Sequence, residues 1–564
     1  MAESDSSSIS ERVARMLRLG RSNDPISSLK AVTRWTDNLT LGDPLKAQGE
    51  ILAELKRFNE GNEEPSRERL LILMTLDEKA QDLQKTLSRQ YLRNPRMSRV
   101  TESELWHAIY HLNWEVLRGY HTHVFSHFRN KSGSNFAAMI PIITLRALRG
   151  FRNVIKWRSL RYMHPGEKTW ARLHQLYQIA ENQGFHQTRL LCYPDEVQER
   201  SCEAEYLHVL MLEQANSGTY YPRQVDLIDQ WLSVWCDNLS LDRDLDVGRH
   251  ILAVDMTRDR GARRVRNTGP ELSTRYWSTL DLLNQIKGIQ NEIHAGAAPA
   301  RLGLTENVRV AESLEMLSHL TRQWGALSAR EQRRKPRVAV KKVVEIVHGF
   351  PIVLAHVLES RFDGQDSHRV DDSLIRDEAM DVQIYGFVTE RTRERLAENA
   401  AKPLLTSARD IERWVMEDES ECGYGTTTQT RDKDWLRVGA LVGLRTSKAG
   451  EWLLAVVRRL SRISETESSV GFETLPGYPL AVTLQSRQEG AGYIVNGVNA
   501  NHTTAEMHGL ILNEGSQPAM VLDPMQYQRK TILEYTHPSR KTIRLGDVIE
   551  QGEGWLMCQI IWLD

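Results

Sequence analysis

The chain has 564 residues, which is too long for one hydrophobic core and predicts roughly two to four domains. Charged residues make up 26% of it and apolar residues 40%, the proportions of a globular protein that buries a sizeable core. The formal net charge is −1, so overall charge gives no argument for a nucleic-acid or membrane partner, and any electrostatic function must come from local clusters.

The first residues and the cysteines indicate a cytoplasmic protein. The opening MAESDSSSIS is polar and acidic where a signal peptide would be basic and then apolar, so we predict a disordered lead over residues 1–10. The longest apolar run is far shorter than the ~20 residues that span a bilayer, so no membrane span is expected. Five scattered cysteines without a C-x-x-C pair favour a reducing compartment over a disulfide framework or a zinc ribbon.

Residues 11–327 are predicted to form a mostly helical domain. Between Leu73 and Leu87 the apolar residues recur at alternating spacings of three and four, which places them on one helix face. Residues 207–215 and 225–235 predict two more helices around an S-G-T-Y-Y-P break. Residues 250–266 alternate about a D-R-G turn, so a small hairpin is expected within the helical domain.

A histidine-rich segment lies inside the helical region. His107 and His111, and likewise His123 and His127, are one helical turn apart, a spacing that is used for zinc. However, the segment has no H-E-x-x-H arrangement and no nearby cysteine, and it is rich in aromatic residues. We therefore interpret these residues, with His121, as helix-packing histidines and predict no metal site.

The sequence beyond residue 328 consists of short runs rich in Val, Ile, Thr and Trp, which is typical of a mostly β region. The predicted strands cover residues 435–445, 451–460, 469–475, 532–535, 541–545 and 555–563. The expected fold class is α+β, with a mostly helical N-terminal region followed by one or two small antiparallel barrels.

A basic cluster opens the β region. Its members are Arg330, Arg333, Arg334, Lys335, Arg337, Lys341 and Lys342. Arg333 and Arg337 form R-x-x-x-R, and Pro336 opposes a regular helix, so we expect an extended arm that leads into a strand. Guanidinium groups on such an arm suit bidentate capture of phosphate and stacking on a purine. A solvated interdomain linker explains the same charges, and the arm alone leaves both interpretations open.

The stretch DESECGYG at residues 418–425 carries the order D-x-S-x-x-G. Asp418 is able to accept from a base edge and Ser420 to donate to a phosphate, while Gly423 permits a positive φ or a close approach of the backbone. The same order also forms an ordinary Asx or Ser turn in a hairpin, so this motif alone is equally ambiguous.

Together and in this order, the two motifs resemble the PilZ domain, the bacterial receptor module for cyclic di-GMP. They are followed by L-R-V-G-A-L-V-G-L-R, W-L-L-A-V-V-R-R-L and S-V-G-F-E-T-L. The resemblance covers about residues 330–480 of a large protein with a long helical N-terminal region, and it implies a six-stranded barrel with an insertion over residues 328–480. Residues 481–564 are predicted to form a second small β domain.

The resemblance also implies roles for individual residues. Arg333 and Arg337 are expected to hold phosphates and stack on guanine, Asp418 and Ser420 to contact guanine and phosphate, and Gly423 to keep the backbone close to the ligand. Arg334 serves equally, because Arg330 and Arg334 form an overlapping R-x-x-x-R.

The chain departs from the family pattern in the distance between the two motifs. Asp418 follows Arg337 by 81 positions (418 − 337), whereas the family usually has a few tens, so an insertion is expected there. Residues 350–361 predict a helix within it and residues 382–389 a strand. A further R-x-x-x-R, from Arg391 to Arg395, is a rival for the arm.

These features predict a signalling receptor that binds cyclic di-GMP and passes the signal through the arm to a protein partner of the helical region. No catalytic motif is found, so we predict neither an enzyme nor a cofactor, and a homo-oligomer is left open. One alternative is a degenerate scaffold without nucleotide, because the acidic residues of 417–421 repel a dianionic ligand unless the arginines dominate. A nucleic-acid binder is less favoured by the neutral net charge and the aromatic content of 7%.

Overall fold

The computed structural model falls into two compact units. The residues it describes are 24–39, 42–61, 63–94, 97–129, 134–216, 218–265, 272–305, 308–326, 337–362, 380–381, 388–393, 411–430, 433, 435–446, 450–464, 466–486, 507–513, 517–536 and 540–563. The first unit comprises the chain up to residue 332 except Gly218–Tyr221, and the second comprises that short segment and the chain from residue 333 onward.

The first unit is helical, as predicted. Its helices are α1 Leu29–Asp37, α2 Pro44–Glu60, α3 Arg67–Arg93, α4 Arg99–Arg129, α5 Ile140–Ser159, α6 Thr169–Asn182, α7 Cys202–Ala215, α8 Pro222–Trp235, α9 Leu280–His294 and α10 Val310–Trp324. Serine side chains cap the N-termini of two of these helices. Ser66 accepts from the Arg69 N–H at the start of α3, and Ser201 accepts from the Ala204 N–H at the start of α7. The apolar face predicted between Leu73 and Leu87 is buried in α3.

A buried ionic cluster joins helices of the first unit. The Glu205 side chain on α7 is fully buried, and it accepts from Arg149 Nε at 2.8 Å and lies 3.0 Å from Arg152 Nη1. Burial opposes the charge of this carboxyl group, but the two arginines outweigh burial and lower the pKa of Glu205 to about 2. Glu205 is therefore ionised in the folded protein.

A three-stranded sheet interrupts the helices. Strands β1 Leu252–Asp255 and β2 Arg263–Arg264 pair as the predicted hairpin, and β3 Thr274–Trp277 pairs with the other edge of β1 in the order β2-β1-β3. The third strand was not predicted, because four residues give too short a pattern to recognise.

The histidine-rich segment lies on α4. The His123 side chain is buried, with its Nδ1 2.8 Å from the Gly119 carbonyl oxygen, and His121 stacks on Phe125 with ring centroids 4.3 Å apart. Within the described ranges, no three His, Cys, Asp or Glu side chains lie as a metal ion would require. Among the helices that the structure describes, none is long and apolar enough to cross a membrane.

The second unit contains two closed barrels. The first barrel is formed by β4 Val338–His348, β5 Glu412–Ser420, β6 Gly423–Gln429, β7 Leu441–Thr446, β8 Leu453–Arg462 and β9 Glu467–Thr474. The second barrel is formed by β10 Leu480–Ser486, β11 Met507–Leu512, β12 Ala519–Leu522, β13 Ile532–Thr536, β14 Arg540–Gly552 and β15 Trp555–Trp562. Their orders are β4-β5-β6-β9-β8-β7 and β10-β11-β12-β15-β14-β13, so both barrels have the same topology. The predicted α+β class with antiparallel barrels is confirmed.

One strand of the β region differs from its prediction, and most of another predicted strand lies outside the described residues. The strand predicted over residues 435–445 begins only at Leu441, because Gly439 has a φ of +81° that interrupts extended backbone. The predicted helix in the insertion is α11 Phe350–Phe362, whereas residues 382–387 of the predicted strand lie outside the described residues. The predicted domain boundaries at residues 328 and 481 stay predictions.

The two barrels are joined by a common apolar cluster. It includes Val353 of α11, Leu454 of the first barrel, and Val521 and Trp555 of the second barrel. The buried Trp555 Nε1 donates a hydrogen bond to the Gly439 carbonyl oxygen at 2.9 Å.

Candidate functional site

Arg337 and Asp418 lie side by side although 81 positions (418 − 337) separate them in the chain. Strands β4 and β5 are hydrogen-bonded neighbours, and Ala339 of β4 lies opposite Asp418 of β5. The Arg337 Nη1 atom, just before β4, donates to Asp418 Oδ1 at 2.5 Å. The long insertion leaves this pairing intact because it is accommodated between two adjacent strands.

The D-x-S-x-x-G stretch forms a β-hairpin with a two-residue turn. Ser420 at the end of β5 lies opposite Gly423 at the start of β6, and Asp418 lies opposite Gly425. The Ser420 hydroxyl is 3.4 Å from the Gly423 carbonyl oxygen. The hairpin interpretation therefore describes the backbone, and it places the Asp418 and Ser420 side chains two residues apart on β5.

Both glycines of this hairpin are required by close approach. A Cβ at Gly423 would collide with the carbonyl oxygen of Phe472 in β9. A Cβ at Gly425 would lie 2.7 Å from Asp418 Cγ, so the bare Cα of Gly425 makes the space that the carboxylate occupies. Gly425 was not predicted as a site residue, although the sequence G-Y-G places a second glycine on the same strand face as Gly423.

The acidic residues around the turn have polar partners. Lys342 Nζ lies 3.3 Å from Glu419 Oε1, and the Thr427 hydroxyl donates to Glu417 Oε2 at 3.1 Å. Burial, together with the Glu419 carboxylate, raises the pKa of Tyr424 to about 12, so this phenol stays protonated. These contacts and the Arg337 pair offset part of the negative charge that favoured a scaffold without nucleotide.

A cleft of about 380 Å³ opens beside the hairpin. It is lined by Arg337, Cys422, Arg458, Arg459, Gly471, Phe472 and Glu473. Arg458 and Arg459 were not singled out from the sequence. The sequence contains one signal that could have identified them, which is two consecutive arginines inside a strand. Side chains alternate between the two faces of a regular strand, so one of the two arginines would point toward the core.

A β-bulge explains how both arginines reach the cleft. Val457 lies opposite Phe472 and Arg459 opposite Gly471, so Arg458 is the extra residue. Arg458 donates to Glu473 Oε2 at 2.6 Å and to Glu550 Oε2 of the second barrel at 2.9 Å. Burial opposes its charge, but these carboxylates raise the pKa of Arg458 further above its ordinary value, so the guanidinium stays charged.

The structure brings four of the predicted site residues to one end of the first barrel: Arg337, Asp418, Ser420 and Gly423. Arg333 and Arg334 lie outside the described residues, as does Arg395 of the rival arm. Which R-x-x-x-R forms the working arm therefore stays a prediction. Chemically, a cleft lined by guanidinium groups beside a carboxylate and a hydroxyl suits a ligand with phosphates and a base edge.

Comparison with known proteins gives matches over both units. Residues 30–244 match the family described as "Cyclic-di-GMP receptor FimW, N-terminal domain", and residues 354–477 match "Cyclic-di-GMP receptor FimW, middle PilZ domain". A curated protein of Pseudomonas aeruginosa, named cyclic-di-GMP receptor FimW, is 29% identical over 205 residues. That alignment covers 35% of this chain and 32% of the relative, so the matched part is about a third of the relative's length. No solved structure matches.

Proposed function

Because the chain belongs to the PilZ-domain family of cyclic-di-GMP receptors, we propose that it is itself a receptor that binds cyclic di-GMP in the cleft beside the 418–423 hairpin. The observation that carries the proposal is the contact between Arg337 and Asp418, which joins the arm to the D-x-S-x-x-G hairpin across the long insertion. A solvated linker would not need this fixed pairing.

Each residue has a role that its chemistry allows. The Arg337 guanidinium, already held by Asp418, presents its remaining N–H groups to a phosphate or stacks on guanine. Asp418 accepts from the N–H groups of a guanine edge, and Ser420 donates to a phosphate oxygen. Gly423 keeps β6 close to β9, and Arg333 or Arg334 completes the arm.

We propose further that the bound nucleotide is signalled to a protein partner of the helical region. Arg337 follows α10, the last helix of that region, in the sequence. Phosphate binding by the connecting arm is able to bias the helical region only if the ligand binds the two states of that region with different affinity. Hydrogen exchange of α10 with and without cyclic di-GMP tests this step, and unchanged exchange rates would argue against it.

A receptor of this kind needs no catalytic group or cofactor, and we propose a cytoplasmic location. The five cysteines, all of them among the described residues, form no disulfide, which favours a reducing compartment.

Calorimetric titration of the full chain with cyclic di-GMP tests the nucleotide proposal, with GTP and cyclic di-AMP as controls. We expect selective binding that is weakened in Arg337→Ala and Ser420→Ala. No heat from a folded wild-type chain would overturn the proposal and favour the scaffold, with partner capture by the helical region as the next assay.

A thiol reaction locates the site independently. Cys422 is exposed and lines the cleft, whereas the other four cysteines are buried. A maleimide should therefore modify Cys422 selectively, and cyclic di-GMP should slow that reaction. Binding by calorimetry without protection of Cys422 would place the ligand elsewhere.

A further inference from the structure

One row of cross-strand partners runs across the sheet from Asp418. Asp418 lies opposite Gly425, Gly425 opposite Gly471, and Gly471 opposite Arg459. Residues directly opposite each other in antiparallel strands carry their side chains on the same face of the sheet. Asp418 and Arg459 therefore stand on one face, with two glycines between them.

The two glycines make a bare floor between these side chains. The Asp418 carboxylate lies over the Cα of Gly425, and Arg459 lies over Gly471, whose hypothetical Cβ would be 3.4 Å from Arg459 Cβ and 3.9 Å from its Nε. Three strand spacings of ~4.8 Å separate the backbones of Asp418 and Arg459 by about 14 Å. The result is a groove with Asp418 and its partner Arg337 on one side and Arg459 on the other.

We propose that Arg459 is a further ligand-binding residue, which contacts the phosphate of the dinucleotide remote from Arg337. This inference rests on the proposed function and names a residue that neither motif contains. A cyclic dinucleotide carries two phosphates on opposite sides of its ring, and both Arg337 and Arg459 line the cleft. The glycine floor allows the flat ligand to approach the backbone of β6 and β9.

Arg445 provides a matched control in the same barrel. It is the same residue type with the same charge, and it donates to Glu345 Oε2 from Nε at 2.8 Å and from Nη2 at 2.7 Å. Arg445 is not among the residues that line the cleft. Loss of one positive charge from the first barrel is thus common to both variants, and only Arg459→Ala removes the proposed contact.

The experiment is calorimetric titration of the full-length wild type, Arg459→Ala, Arg459→Lys and Arg445→Ala with cyclic di-GMP, with thermal unfolding of each variant. We expect the Kd of Arg459→Ala to rise about tenfold to a hundredfold, the factor associated with a hydrogen bond to a charged group. Arg459→Lys should fall between wild type and Arg459→Ala, because it keeps the charge but loses the planar fork. Arg445→Ala should bind within about threefold of wild type, because Arg445 does not line the cleft.

The double variant Arg337→Ala/Arg459→Ala tests whether the two arginines contact two different phosphates or act on the same one. Independent contacts predict that the two losses of binding free energy add. Wild-type affinity in Arg459→Ala, or equal losses in Arg459→Ala and Arg445→Ala, would overturn the inference and leave the proposed function standing. No binding by the wild-type chain would overturn both.

Discussion

Replacing Gly425 by alanine tests whether the position of the Asp418 carboxylate governs binding. The new Cβ would lie 2.7 Å from Asp418 Cγ, well inside van der Waals contact, so the carboxylate must leave its place over β6. Its hydrogen bond with Arg337 would then be lost or redirected. We expect the Kd for cyclic di-GMP to rise about tenfold to a hundredfold, because positioned charged hydrogen bonds contribute about 1.5–3 kcal/mol.

The same substitution should leave stability nearly unchanged. The Arg337 and Asp418 side chains are 29% and 36% exposed, and ion pairs with this exposure contribute only about 0–1 kcal/mol. Alanine in a strand gains roughly 0.5–1 kcal/mol over glycine, which offsets that loss. Calorimetric titration and thermal unfolding of the same preparation should therefore show weakened binding with an unchanged unfolding midpoint.

A double-mutant cycle with Asp418→Ala gives the decisive control. If Gly425 acts only by making room for the carboxylate, Asp418→Ala/Gly425→Ala should bind like Asp418→Ala alone. A further loss in the double variant would show that the methyl group obstructs the ligand directly. Binding of Gly425→Ala within about threefold of wild type would refute the reasoning.

Three further predictions concern stability. Trp555→Phe removes the donor to the Gly439 carbonyl oxygen and should cost about 1–3 kcal/mol in urea unfolding, whereas an unchanged value would mean that another donor replaces it. Glu205→Gln removes a fully buried carboxylate from Arg149 and Arg152, whose other carboxylate partners are Glu196 and Asp229, and should cost about 3–5 kcal/mol in the same assay. A cost below about 1 kcal/mol would mean that the cluster relaxes. Burial lowers the pKa of His121 from 6.5 to about 4. Between these two pH values the unfolded chain binds more protons at His121 than the folded chain does, so stability should fall as the pH drops from 6.5 to about 4. His121→Phe should make that fall smaller, and an identical pH profile would contradict the assignment.

The sequence predicted those parts of the fold that depend on local pattern. The apolar spacing from Leu73 to Leu87 identified α3, and the β-rich texture identified the barrels, because period and composition act over short segments. The four-residue strand β3 was missed, since its pairing with β1 is a tertiary property. The start of β7 was misplaced because the backbone conformation of Gly439 is not visible in the sequence.

The candidate site was predicted in part for the same physical reason. The hairpin that carries Asp418 and Ser420 is local, so its motif was readable in the sequence. The contact with Arg337 depends on the register of β4 against β5, which the sequence does not contain across 81 positions (418 − 337). The place of Arg459 depends on a bulge and on three successive strand pairings, and only the structure shows it.

The apolar cluster shared by the two barrels has a consequence for how the second unit unfolds. Leu454 and Trp555 belong to different closed sheets but to the same cluster, so opening either sheet exposes part of the other's interior. We therefore expect a single cooperative unfolding transition for both barrels. A ligand bound to the first barrel should raise the midpoint of the second by the same linkage. The fluorescence of Trp555, in the barrel without the motif, should therefore report on nucleotide bound in its neighbour.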